Sequence, residues 1–99
     1  MIKNIRLIKG LPGNESIHFR YHGKRECIFV KDIIYLESDR VYSKIFFIGN
    51  DIESRKICHA IGSFEEQLKD MGFLRCSRYH LVNTKKVRYS AMTRFLIKL

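Results

Sequence analysis

Tryptophan is absent from this sequence, proline occurs once and cysteine three times. Cys27, Cys58 and Cys76 are widely spaced, odd in number and form no CxxC pair. That excludes a small secreted domain stapled by disulfides and predicts buried, reduced, intracellular thiols. A Cys27–Cys58 redox pair would need the two sulfurs within bonding distance, which spacing alone does not provide. No apolar run approaches membrane-spanning length and the first residues lack a signal-peptide core, so a cytoplasmic chain without a membrane partner is expected. Neither a GxGxxG fingerprint nor a P-loop occurs. Of His18, His22, His59 and His80 only the first two fall at a ligand-like spacing, HxxxH, in a segment that alternates as a strand, and no metal site is expected. The ten carboxylates make no recognisable acid–base set, and no flanking signature marks a Cys–His nucleophile. No catalytic residue and no cofactor are expected.

What is present is a core and a field. In 99 residues, 45% are hydrophobic and 12% aromatic, enough for one globular domain. Nineteen Lys and Arg stand against ten Asp and Glu, a net charge of +9. The excess is lopsided: residues 73–99 carry seven cations (Arg75, Arg78, Lys85, Lys86, Arg88, Arg94, Lys98) and no anion. A field concentrated in one third of a chain faces a polyanion more readily than a neutral partner.

Along the chain, Gly10 to Asn14 is a Gly/Pro break, so residues 1–14 form a linker or an edge strand ahead of a domain over 15–99. Ile17, Phe19 and Tyr21 alternate with His18, Arg20 and His22, and a turn at Gly23-Lys24 returns residues 26–30 as a partner strand. Residues 33–37 read as a buried strand, Ser38-Asp39-Arg40 interrupts, and 41–48 continues to turn chemistry at Gly49-Asn50-Asp51. Residues 51–61 pair back in alternation. One segment, 63–71, has helical spacing: Ser63 caps, Glu66 completes a capping box, Phe64, Leu68 and Met71 face the core, and Gly72 stops it. Short strands follow at 73–76 and 79–82, then a turn at Asn83-Thr84 and strands over 87–90 and 93–99. The fold class is mainly β, with short antiparallel sheets and one short helix.

Three stretches carry a resemblance. They are Ile33-Ile34-Tyr35-Leu36-Glu37-Ser38 with Tyr42-Ser43-Lys44, then Ser63 to Leu68, then Phe73-Leu74-Arg75-Cys76-Ser77-Arg78-Tyr79-His80-Leu81-Val82-Asn83. In order and spacing they resemble the LytTR family of bacterial DNA-binding domains over residues 16–99. The resemblance implies an elongated fold of short antiparallel sheets that inserts loops into successive major grooves, usually at short tandem repeats, and bends the duplex. Its DNA-contacting segments match loop 39–44 and Ser77-Arg78-Tyr79. Two departures stand out: Ser77 and Tyr79 replace the family's frequent His and Ser, and the family's closing strand is expected to be absent, which would leave an open sheet edge.

Arg78 leads the candidates, since a guanidinium donates two bonds to guanine or clamps a phosphate. Arg75 reads either as a contact or as an internal hydrogen-bond donor. Arg40, Tyr42, Ser43 and Lys44 interleave basic, aromatic and hydroxyl groups suited to a groove, though Tyr42 also suits core packing. Ser77 and Tyr79 flank Arg78, Lys85, Lys86 and Arg88 form a phosphate-attracting fringe, and Asn83 fixes a turn. The expected partner is double-stranded promoter DNA, and a homodimer on tandem sites is a further expectation. A regulatory domain or partner protein outside this chain would supply the signal. Two other readings compete: a small β-barrel stacking single-stranded nucleic acid on Phe19, Tyr21, Phe46 and Phe47, or an interaction module that adds a partner's strand to the open edge.

Overall fold

The structure, a computed structural model, describes residues 5–86. Strands β1 (Arg6–Ile8), β2 (Ser16–Tyr21) and β3 (Lys24–Phe29) form an antiparallel three-stranded sheet in that order. Strands β4 (Ile33–Asp39), β5 (Tyr42–Ile48), β6 (Ile52–Ile57), β7 (Phe73–Ser77) and β8 (His80–Asn83) form a second antiparallel sheet, ordered β6-β5-β4-β8-β7. The helix α1 (Ile61–Leu68) and a 3-10 turn (Lys69–Met71) connect β6 to β7. The mainly β class with one short helix is therefore the fold. Its extents of 37 × 32 × 27 Å make it mildly elongated. The strands expected over 87–90 and 93–99 lie outside the described residues, as do Arg88, Arg94 and Lys98.

Alternation explains the packing. Ile17, Phe19 and Ile28 from the small sheet and Leu36, Ile45, Ile57 and Leu81 from the large one close on a single core, with Phe64 and Leu68 from α1. Each such side chain contributes roughly 1.5–3 kcal/mol when fully buried. One ion pair also crosses between the sheets: Arg55 Nε donates to Glu26 Oε1 at 2.8 Å, with its guanidinium over the Tyr21 and Phe47 rings. Thus Phe19, Tyr21 and Phe47 are spent on the core and the sheet junction. Phe46, on the other face of β5, stacks on Tyr35 at 4.4 Å.

The helix begins two residues before the expected cap. Ala60 is the N-cap, no side chain caps the helix, and Ser63 lies inside its first turn. Burial of Ile61 explains this: Ile61, Phe64 and Leu68 at i, i+3 and i+7 make the core-facing stripe, and tertiary packing outweighs a cap. Gly72 does end the segment, with φ 86°. The first hairpin turns at His22-Gly23 instead of Gly23-Lys24, because both His22 (φ 52°) and Gly23 (φ 79°) adopt the positive φ of a type I′ turn. The thiols are free but not buried as expected, since Cys27 is exposed and Cys58 and Cys76 are half-buried.

Candidate nucleic-acid interface

Strand order brings the two expected segments together. β4 pairs with β5 on one side and β8 on the other, so the C-terminus of β4 lies beside the N-termini of both. Both two-residue tips, Arg40-Val41 joining β4 to β5 and Arg78-Tyr79 joining β7 to β8, therefore leave the same end of the large sheet. A backbone bond couples them: Ser38 N–H donates to Tyr79 O at 2.7 Å. Two strand spacings separate the hairpin centres, about 10 Å.

The Arg78-Tyr79 tip is braced from beneath. Arg75 Nη1 pairs with Glu65 of α1 at 2.6 Å, its Nε donates to Ser77 O at 3.0 Å, and its Nη2 donates to Arg78 O at 2.8 Å. Ser77 Oγ accepts from Tyr79 N–H at 3.2 Å and lies 3.1 Å from Nδ1 of the buried His80. His80 Nε2 in turn faces Glu37 Oε2 at 3.4 Å. With Arg75 turned inward, Arg78 is exposed and Tyr79 is 52% exposed, a cation and an aromatic presented on a fixed backbone.

The Arg40-Val41 tip is held by fewer side-chain contacts. Arg40 takes φ 62°, a left-handed conformation unusual for a residue other than glycine. Asp39 pairs with Lys56 of β6 at 2.9 Å, and the Lys56 ammonium sits 5.1 Å from the Tyr42 ring centre. The Asp39 carboxyl is held below its ordinary range, first by the hydrogen bond from Lys56, then by the charges of Lys56, Arg40 and Lys44. That shift registers the positive field at this end. Val41 is 62% exposed at the apex.

The loop of 39–44 is thus only Arg40 and Val41; Tyr42, Ser43 and Lys44 belong to β5. Arg40, Tyr42, Arg78 and Tyr79 share the exposed tip surface. Lys44 is half-buried beside them, its ammonium 5.5 Å from the centre of the Phe46 ring. Ser43 faces the core, fully buried, and donates to His59 O at 2.5 Å. Its parity with Ile45 on the same strand is the signal that foretells this. Lys85 and Lys86 sit after the C-terminus of β8, at the opposite end of the sheet from the tips. There Asn83 fixes the turn: its side-chain amide donates to Ile33 O and its Oδ1 accepts from Lys85 N–H. Lys56 is absent from the candidates that the sequence suggests, although counting back equally from the Gly49-Asn50-Asp51 turn places it opposite Lys44. Glu65, a partner in the brace, carries no local signal.

No group of three His, Cys, Asp or Glu side chains converges among the described residues. No helix among them is long and apolar enough to cross a membrane. The sequence model of one family, described as the LytTr DNA-binding domain, matches residues 23–98. Among curated proteins and among solved structures, none matches the chain.

Proposed function

The chain belongs to the LytTr DNA-binding domain family, and from that premise we propose that it binds double-stranded promoter DNA sequence-specifically, through the Arg40-Val41 and Arg78-Tyr79 tips. The family is a DNA-binding one rather than a catalytic one. The observation that carries the finer reading is the pairing of two exposed arginines on adjacent tips, coupled through Ser38 N–H and Tyr79 O. A separation of about 10 Å suits the major groove, about 12 Å wide, so both tips enter one groove. Contacts in a further groove come from another part of the chain or a second copy on a tandem repeat.

In this reading Arg78 donates to a base edge, Arg40 and Lys44 meet the groove wall, and Arg75 is a positioning residue that holds the Arg78 carbonyl. Lys85 and Lys86, at the far end, add long-range attraction and salt dependence without touching the same groove. The single-strand alternative needs an exposed aromatic platform, whereas three of its four aromatics pack inside or between the sheets.

Selection from a randomised duplex pool at near-physiological salt tests the proposal. Enrichment of a short motif, singly or in tandem, is expected. Preference for single strands, or retention without any motif, would overturn specific duplex recognition.

A further inference from the structure

The outer face of the small sheet carries a second set of cations that the two tips do not account for. Register places Arg6 opposite His18 across β1 and β2, and Arg20 opposite Arg25 across β2 and β3. All four side chains are exposed. Like charges directly opposed on neighbouring strands repel and destabilise a sheet. Among the described residues Arg20 donates only to Gly23 O, at 3.1 Å, while neither Arg6 nor Arg25 has an ion-pair partner. Glu26, which lines the same depression, is already committed to Arg55 at 2.8 Å. Among the described residues no carboxylate pairs with these arginines, which is what a surface built for an external anion looks like.

The position of this face identifies the anion. Arg20, Tyr21 and His22, at the end of β2, line a shallow groove together with Tyr42, Lys56, Ile57 and Cys58. Arg20 also lines the depression that holds Arg6, His18 and Arg25. Arg20 therefore lines both, so cations recur from Arg40 at the tip, through Lys56 in the groove, to Arg20 and Arg25 on the small sheet. A duplex entered by the tips would continue along that surface, and a row of cations on a sheet face, away from the loops that enter the groove, suits phosphates.

We infer that the β2–β3 hairpin is a third DNA-contacting segment, in which Arg20 and Arg25, with Arg6 behind them, bind phosphates flanking the stretch read by the two tips. The inference rests on the duplex-binding reading above and adds the direction in which the DNA leaves the tips. It also explains why cross-strand arginine repulsion is retained: the free domain tolerates it and bound phosphates relieve it.

The test uses the full chain and its double variant Arg20→Gln/Arg25→Gln. The probes are two duplexes, one ending at the selected motif and one extended by a helical turn on either side. Affinity is measured as a function of salt. On the extended duplex the variant should show a salt dependence less steep by roughly one for each phosphate that is no longer neutralised, and on the short duplex it should match the parent. Its Tm should be equal to or above the parent's, because the repelling pair is gone. Arg25→Lys should retain the parental slope, since a point charge suffices for a phosphate.

Parental slopes on both duplexes, in a chain that still selects its motif, would overturn the third segment alone and leave the face to an acidic protein partner. Equal losses on both duplexes would overturn its flanking placement. Failure of the parent chain to prefer any duplex would remove the tip reading and this inference together.

Discussion

The two tips at the end of the large sheet follow the same two-residue plan and are held in different ways. Arg78 and Tyr79 rest on a brace of side chains: Arg75 reaches Glu65 and the carbonyls of Ser77 and Arg78, and Ser77 Oγ accepts from the Tyr79 amide. Arg40 and Val41 rest on an exposed ion pair and on a backbone torsion, φ 62°, that an arginine adopts reluctantly. A braced loop loses little freedom on binding, and rigid placement is what bidentate reading of a base edge requires. A strained, lightly held loop can adjust to the phosphates and the groove wall. On the proposed reading of the tips, the asymmetry gives sequence reading chiefly to Arg78 and fitting chiefly to Arg40.

The comparison breaks most directly on DNA. Arg78→Ala should cost about 1–3 kcal/mol on the selected motif and much less on random duplex, as for a base contact. Arg40→Ala should weaken both by similar factors. Competition binding of the two variants against motif and random DNA checks this, and equal losses for Arg78→Ala would reduce it to a phosphate contact. Next in size is Arg75→Ala. Losing one charge-assisted pair and two bonds to carbonyls, in a side chain 29% exposed, should lower stability by about 1–2 kcal/mol. For a domain of this size that is a fall in Tm of the order of 4–16 °C. The same variant should lose discrimination between motif and random DNA although Arg75 touches neither, and retained discrimination would show that the brace is dispensable.

Much of this arrangement is legible in the residues, and the part that is not has physical causes. Period-two alternation places Ile17, Phe19 and Ile45 in the core, and Gly72 at a helix end needs only its tolerance of positive φ. The helix start departs from expectation because Ser63 offers a local cap while burial of Ile61, a tertiary effect, decides the boundary. Ser43 looks like a groove-facing hydroxyl, yet its register opposite Ile57 turns it inward. Lys85 and Lys86 look continuous with Arg75 and Arg78 as one basic run, but β8 carries the chain the length of the sheet before they appear. The cation surface on the small sheet is hidden for the opposite reason. Its arginines are scattered among an almost balanced first two-thirds of the sequence and gather only through strand pairing.

The strain at Arg40 gives a smaller and opposite effect. Arg40→Gly removes the penalty for a side chain in the left-handed region, and glycine's greater freedom in the unfolded chain offsets part of the gain. The net should be a stabilisation of about 1 kcal/mol or less, seen as a modest rise in Tm, together with weaker binding to any duplex. Thermal melting and a binding titration on one sample read both. A lower Tm would mean that the arginine side chain, and not the torsion, governs the tip's stability.

The finest distinction concerns what would keep Asp39 from repelling a duplex at the proposed Arg40-Val41 contact. Its carboxyl titrates below the ordinary range because Lys56 bonds to it, with Lys56, Arg40 and Lys44 adding charge. A depressed folded pKa contributes stability that is complete above the unfolded value, about 3.9, and is lost as pH falls through the folded one. The Arg40 tip should therefore be insensitive to pH near neutrality and loosen only in strong acid. In Lys56→Gln the Asp39 carboxyl should titrate closer to its ordinary range, followed by side-chain NMR. The bare carboxylate should also weaken duplex binding several-fold, and Asp39→Asn added to Lys56→Gln should restore most of that loss. An unchanged titration would move the source of the depression from Lys56 to the arginine and lysine beside it, and with it the reason this tip holds its shape.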